Sequence, residues 1–462
     1  MTQTIVNSDV KTYNPATGEI NKVYQKHSKE EVEQRIQASH KAFLNWRKTT
    51  LKERAETIQA IGKALQEHKA ELSEIMTRQM GKPTSMAESE VDLCVAICEY
   101  TAQQGPEILA QEKRELEAGK AFISYEPLGV ILGMQPWNFP CYQVVRYSIS
   151  CIMAGNTTVL KHAEICWETA AKLKEIYESA GLPVDVFNVI YVDDETVDEL
   201  ISHHKFRGIS FTGSAKAGKI VAKKAGSHLK KTVLELGGSD PYLVLDIKNL
   251  ESIVESCVEG RINNTGQTCV AAKRFIVPAA IYDNFKEKFV TAMKAVKWGS
   301  PKDSDSQMGP MAREDLRENL HKQVEESVQR GATLLCGGEI PEGKGYFYPA
   351  TVLENVRPGM PAYDDELFGP VASLIKAEDE DDAIRIANDH RYGLGGGVFC
   401  QDEDKAIEIA HRMETGMVNI NGYGLAKPNL PFGGVKESGY GREHGGFGMK
   451  EFVNIKAIMV NK

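Results

Sequence analysis

The chain has 462 residues, 42% of them hydrophobic and 26% charged, which is enough apolar material for a substantial core and two or three domains. Lys and Arg number 55 against 64 Asp and Glu, a formal net charge of -9, and that balance argues against a general binder of nucleic acid or anionic membranes. No apolar run reaches the ~18–20 residues that cross a bilayer, and the opening MTQTIVNSDVKTYNPATGE has neither a basic n-region nor an apolar h-region. A cytoplasmic enzyme is the expectation.

In chain order, Ser28 and Glu31 form a capping-box pattern ahead of Val32, Ile36 and Phe43 at helical spacing. A second helix carries Leu51, Ala55, Ile58, Ile61 and Leu65 on one face, and Gly81-Lys-Pro83 marks a break. From about residue 121 short apolar runs alternate with helical stretches: GVILGM (129–134), TTVLK (157–161), FNVIYV (187–192), GISF (208–211) and TVLEL (232–236). This repetition predicts a parallel, doubly wound α/β sheet covered by helices on both faces. It restarts after Gly237-Gly238 with PYLVLD (241–246), FIVP (275–278), VASLIKA (371–377) and MVNIN (417–421), so two α/β domains are expected.

Nine cysteines lie scattered at 94, 98, 141, 151, 166, 257, 269, 336 and 400; none makes CxxC, and the eleven histidines include no HExxH. Neither a metal site nor a disulfide framework is expected. After GISF, the run from Thr212 and Gly213 to Gly218-Lys219-Ile220 nearly spells GxxxxGK[ST], but Ile220 stands where Ser or Thr must hold magnesium. What remains is a glycine turn opening a helix, a shape that suits a pyrophosphate.

Three more segments carry reactive groups. Asn264-Thr-Gly-Gln-Thr-Cys269 presents a thiol after small and polar residues, a plausible nucleophile. Glu235 ends an apolar strand and is followed by two glycines; an isolated Glu among leucines turns to solvent or has a job. Pro136-Trp137-Asn138-Phe-Pro140 holds a side-chain amide rigidly, as an oxyanion donor requires. Nucleophile, base and oxyanion donor thus accompany a dinucleotide-type sheet.

With PWNFP (136–140), AGNTTVLKHAE (154–164), FTGS (211–214), LELGG (234–238), GQTC (266–269), ELFGP (366–370) and PFGGVKESGYGRE (431–443) in order, the whole chain resembles the NAD(P)-dependent aldehyde dehydrogenase superfamily. Within it, the chain looks most like the bacterial succinate-semialdehyde dehydrogenases. The resemblance implies that Cys269 attacks the aldehyde, that Asn138 and the Cys269 N–H hold the oxyanion, and that Glu235 activates the water that hydrolyses the thioester. It implies further that Trp137 and Gly213 belong to the cofactor site, that Ser214 binds a phosphate, Lys161 and Glu164 the adenosine ribose, and Glu366 the nicotinamide ribose, with Phe368 packing nearby. The site is expected to favour the Cys269 thiolate, since a free thiol with a pKa of about 8.5 is mostly protonated at neutral pH.

Two departures stand out. His162 follows Lys161 where the family usually has proline, and Val270-Ala271 replaces the second cysteine that some semialdehyde dehydrogenases carry. For the substrate, Tyr142 and Arg146 share a helix face, and the resemblance implies that Arg146 binds the distal carboxylate from the mouth of the aldehyde tunnel. The second arginine of that pocket is replaced by Asn263, which leaves Arg261 or Lys427 to compensate and makes a broader-specificity semialdehyde dehydrogenase an alternative. Glu164 implies NAD as preferred cofactor, with NADP tolerated, because a carboxylate accepts from a ribose 2′-OH and repels a 2′-phosphate. A CoA-acylating semialdehyde dehydrogenase is the nearest alternative, and Glu235 argues against it. A non-catalytic NAD-binding protein is a more distant one, opposed by the intact Cys269, Glu235 and Asn138.

The domains expected from this reading are 1–112 with 133–236 for NAD binding, 237–426 for catalysis, and 113–132 with 427–462 as an oligomerisation element. That element implies a homodimer or homotetramer. A small-molecule aldehyde is the expected partner, and neither nucleic acid nor membrane is.

Overall fold

The computed structural model describes residues 9–461. The capping box forms as written: Glu31 N–H donates to Ser28 Oγ (3.2 Å) and Ser28 N–H to Glu31 Oε2 (2.7 Å), opening the helix Lys29–Trp46. Thr50 and Glu53 repeat the device at Leu51–Glu67. Val32, Ile36 and Phe43 are buried on the first helix, and Ala55, Ile58, Ile61 and Leu65 on the second. Gly81, in the left-handed region at φ +80°, ends the helix Lys69–Met80 before the long helix Thr84–Ile108. Among the described residues no helix is long and apolar enough to cross a membrane.

The first sheet has six strands, ordered Gly439–Tyr440, Lys231–Glu235, Phe206–Thr212, Val130–Gln135, Thr157–His162 and Phe187–Ile190. All pair in parallel except Gly439–Tyr440, which runs antiparallel along Lys231–Glu235. Val130, Ile131 and Leu132 are fully buried, so both faces of this strand are covered and its sequence reads as a continuous apolar run. Each such side chain stabilises the fold by about 1.5–3 kcal/mol. The chain winds outward in both directions from Val130–Gln135. That puts the topological switch between this strand and Phe206–Thr212, and the ligand crevice beyond their carboxyl ends.

The second sheet has seven strands, ordered Thr333–Cys336, Thr351–Glu354, Val371–Ala377, Ala272–Pro278, Asp240–Val244, Gly397–Phe399 and Asn419–Ile420. It is parallel apart from its first pair. Glu112–Leu116, Gly119–Pro127 and Val453–Asn461 form a third, antiparallel sheet, with Val453–Asn461 along one edge.

Two expected segment edges need correction. Residues 130–132 belong to the first parallel sheet and not to the small one, because their unbroken apolar run is buried there. Likewise Gly439–Tyr440 joins the first sheet and Val435–Lys436 pairs with Tyr392–Gly393, so Val453–Asn461 is the part of 427–462 that enters the small sheet. Residues 1–8 and 462 of the expected ranges lie outside the described residues.

Candidate active site

At the switch point lies a cavity of about 780 Å³ bordered by Trp137, Lys161, Glu164, Gly213, Ser214 and Arg313. Pro136 and Trp137 leave the end of Val130–Gln135, Lys161 ends the neighbouring strand, and Glu164 opens a short 3-10 turn. Ser214 caps the helix Ala215–Ser227, its Oγ accepting from Ala217 N–H (3.2 Å), so the N–H groups of the first turn face the cavity as an anion site. Lys161 is ion-paired to Asp194. Trp137 meets Phe368 edge-on at 5.7 Å, joining the two sheets across the cleft. A helix N-terminus, an elongated cavity and carboxylates along its wall are what a dinucleotide requires.

His162 settles the departure beside Lys161. It is buried, its Nε2–H donates to Pro140 O (2.9 Å), and its Nδ1 accepts from Ala163 N–H (2.9 Å). Desolvation lowers its pKa to about 4, so the ring is neutral and ties the Pro136–Pro140 segment to the strand Thr157–His162, supplying rigidity where a proline is missing.

Cys269 stands after a strained turn. Asn264 (φ +53°), Thr265 (φ +56°) and Gly266 (φ +71°) are consecutive left-handed residues. For the two that carry a Cβ this costs roughly 1–3 kcal/mol each, and the surroundings fix them in place. Asn264 Nδ2 donates to Asn138 O (2.7 Å), Thr265 Oγ1 to Gly309 O (3.1 Å), and Arg261 Nη2 to Gly266 O (2.8 Å). Gln267 Oε1 accepts from Ala312 N–H (2.9 Å), and Lys273 Nζ donates to Thr268 O (2.9 Å) and Cys269 O (2.7 Å). Asn138 itself donates one N–H to Gln267 O (3.1 Å), which leaves its second amide hydrogen for another acceptor.

Cys269 is half-buried, and desolvation pushes its thiol up to about 12 while Lys273 and Arg146 pull it down. The expectation that the site favours thiolate is therefore corrected: burial outweighs both cations. Glu235, 3% exposed, ends Lys231–Glu235 with neither carboxyl oxygen hydrogen-bonded. Burial holds that carboxyl well above the usual carboxylate range against the pull of Arg146. The glycines after it are needed for space. A Cβ on Gly237 would collide with Glu366 Oε2, and one on Gly238 would stand 2.7 Å from Cys269 O. Glu366 Oε1 accepts from Gly238 N–H (3.1 Å) and pairs with Lys273 (3.2 Å). The two glycines after Glu235 thus pack against Glu366 and the Cys269 carbonyl, while Asn138 is hydrogen-bonded into the turn ahead of Cys269.

Arg146 departs from expectation. Its guanidinium is 1% exposed, ion-paired to Glu443, and donates to Tyr142 Oη (3.3 Å) and Thr212 Oγ1 (3.2 Å). Phe432 stacks on it at 4.7 Å. The shared helix face with Tyr142 is present, but Arg146 is not an open cation at a tunnel mouth, because Glu443 already neutralises it. Tyr142 Oη also contacts His444 Nε2 (2.9 Å), which makes Tyr142 part of this cluster. Arg261 is fully buried under the Asn264–Gly266 turn and does not reach an open pocket. Lys427 is exposed on the loop before Phe432, and among the described residues it makes no ion pair. Glu443, Lys273 and Arg313 were missed from sequence. Lys273 alone left a signal there, a lysine entering an apolar strand.

The aldehyde dehydrogenase family model matches residues 3–458. The NAD(P)+ succinate semialdehyde dehydrogenase Sad of Escherichia coli is 44% identical over 445 residues, covering 96% of each chain. The NADP+ succinate-semialdehyde dehydrogenase of Deinococcus radiodurans is 41% identical over 97% of this chain and 94% of its own. The crystal structure of succinic semialdehyde dehydrogenase from Streptococcus pyogenes with NADP+ superposes with a TM-score of 0.95 at 35% identity, covering 98% of this chain and 100% of that one.

Proposed function

The chain belongs to the aldehyde dehydrogenase family of oxidoreductases, and on that footing we propose that it oxidises succinate semialdehyde and related ω-oxo acids to dicarboxylates with a nicotinamide dinucleotide, in the cytoplasm. Cys269 Sγ, once deprotonated, adds to the aldehyde carbon. The free Asn138 N–H and the Cys269 backbone N–H hold the resulting oxyanion, worth about 10²–10³ in rate per donor. A nicotinamide ring bound in the cleft supplies the hydride acceptor. Collapse of the tetrahedral alkoxide leaves a thioester on Cys269. Glu235 then takes a proton from the water that attacks it, releasing the acid and restoring the thiol.

The observation that carries this reading is Glu235. It is a buried carboxyl with both oxygens unpartnered at the end of its strand, three residues before the glycine that packs on the Cys269 carbonyl, a costly arrangement unless the group is used as a base. It also favours hydrolysis over transfer to CoA. The test is NADH production from succinate semialdehyde with and without CoA, followed by product identification. Succinate and equal NADH in both arms are expected; acyl-CoA as the product, or no oxidation, would overturn the proposal.

For the substrate carboxylate, Lys427 is proposed in place of Arg146. It adjoins Pro428, which borders Arg146 and His444. An exposed pair is worth about 0–1 kcal/mol, so Lys427→Ala should raise the KM for ω-oxo acids a few-fold; an unchanged KM would remove Lys427 from the substrate site.

NAD is proposed as the preferred cofactor. Glu164, Asp193, Asp194 and Glu195 border the cavity against Lys161 and Arg313, and Asp194 already neutralises Lys161, so a 2′-phosphate adds charge to an acidic wall. The names of the relatives, NAD(P)+ in one and NADP+ in another, make the NAD to NADP ratio of kcat/KM the deciding number. The nine free thiols fit a reducing compartment. The edge strand Val453–Asn461 exposes Ile455, Met459 (70%) and Val460, and a second copy of the chain is proposed to cover it, giving a homodimer or homotetramer.

A further inference from the structure

Lys273 lies four residues past the nucleophile, near the start of Ala272–Pro278, with its side chain 1% exposed. An ammonium buried this deeply needs partners for its three protons, and it has them in Thr268 O (2.9 Å), Cys269 O (2.7 Å) and Glu366 Oε1 (3.2 Å). The same Oε1 accepts from Gly238 N–H (3.1 Å), and Gly238 packs directly on the Cys269 carbonyl. Gln323 Nε2 steadies the backbone of Glu366 from the other side (3.3 Å to its carbonyl oxygen). One polar knot therefore joins the nucleophile turn, the glycines after the Glu235 strand and the loop that carries Glu366.

We propose that Lys273 is a positioning residue for hydride transfer: its ammonium holds the nucleophile turn by two carbonyls and the Glu366 carboxylate by an ion pair, so that the reacting sulfur and the nicotinamide ribose share one anchor. This rests on the reading of Glu366 as the ribose ligand. Its physical reason is reach. The acyl carbon on Cys269 and the acceptor ring are fixed by different loops, and a misplacement of ~1 Å costs on the order of 10²-fold in rate. A single cation tied to both loops removes that freedom. It also acts on the thiol by charge, since Lys273 favours the anion and Glu366 opposes it.

The test uses the full-length chain and its Lys273→Gln, Glu366→Gln and double variants. It measures kcat, the KM for NAD, and the rate of Cys269 alkylation by iodoacetamide across pH. Lys273→Gln should lower kcat about 30- to 100-fold and raise the NAD KM about 10-fold. The double variant should be no worse in NAD KM than either single change, because both break the same link. Alkylation at pH 8 should slow about 10-fold in Lys273→Gln and quicken in Glu366→Gln; a purely structural role does not move the two in opposite directions. If Lys273→Gln melts early, Lys273→Arg keeps the charge, and there kcat should fall while the alkylation rate holds. NAD KM and kcat within about 2-fold of the parent in Lys273→Gln, or effects that multiply independently in the double variant, would overturn the proposal. A Glu366→Gln variant with unchanged NAD KM would instead overturn the ribose assignment, and the alkylation rates then decide for Lys273.

Discussion

Replacing Arg146 by leucine strips Glu443 of its cation. Both side chains are buried, at 1% and 6% exposure, and removing one partner of such a pair costs about 3–5 kcal/mol because the other charge is left desolvated. At about 2 °C per kcal/mol for a chain of this size, the apparent Tm should fall by about 6–10 °C. Arg146 also draws down the pKa of both Cys269 and Glu235, so its loss moves both groups further from their reactive ionised forms. Activity should therefore fall to a similar degree for succinate semialdehyde and for an uncharged aldehyde of the same length. Adding Glu443→Gln removes the stranded carboxylate and should recover at least half of the lost Tm. The assays are thermal melts of the two variants and kcat/KM with both aldehydes. A KM raised about 10- to 100-fold for the charged aldehyde alone, with the melt unchanged, would refute the reasoning and return Arg146 to the substrate carboxylate.

Three other substitutions test separate steps. Cys269→Ala should abolish oxidation while the cofactor still binds, measured by NADH production and by quenching of protein fluorescence on NAD titration; appreciable turnover would remove Cys269 as nucleophile. Glu235→Gln should give one burst of NADH and then slow turnover. It should also stabilise the fold. Burial keeps the Glu235 carboxyl protonated in the folded chain above its ordinary value of 4.5, so the unfolded chain releases that proton first and wild-type stability declines as pH rises past about 4.5. The variant should melt roughly a few degrees higher at pH 8 and lose that advantage below about pH 4.5; equal melts at pH 8 would contradict the desolvation argument. Glu164→Ser should shift the kcat/KM ratio towards NADP, and a wild-type ratio already favouring NADP would refute the charge argument for the cleft.

Much of this was readable from the residues because it rests on local rules. The capping box at Ser28 and Glu31 and the apolar runs at 129–134 and 208–211 follow from spacing and from burial on both faces. The cofactor roles expected of Trp137, Lys161 and Ser214 came from the family resemblance, while the switch point they border needed the strand order of the folded chain. Less was visible where the chain closes on itself. Arg146 meets Glu443 across nearly three hundred residues, a pairing that spacing on one helix cannot reveal, and so its charge was assigned to the substrate. Lys273 was overlooked because its partners are two backbone carbonyls and a glutamate ninety-three residues on. The paired left-handed residues Asn264 and Thr265 have no sequence rule beyond the tolerance of Asn for that region; their side chains donate to the carbonyls of Asn138 and Gly309, and these tertiary hydrogen bonds hold them there. Short strands such as Gly397–Phe399 escaped because three residues carry no period.

The central claim is that an acyl group passes through Cys269 and leaves by way of Glu235. The most direct measurement is mass spectrometry of Glu235→Gln, acid-quenched after mixing with NAD and succinate semialdehyde, with NADH counted in the same sample. The account predicts a succinyl group on the peptide that contains Cys269, in step with one NADH per active site. NADH formed with no adduct on that peptide, or an adduct on another cysteine, would contradict it.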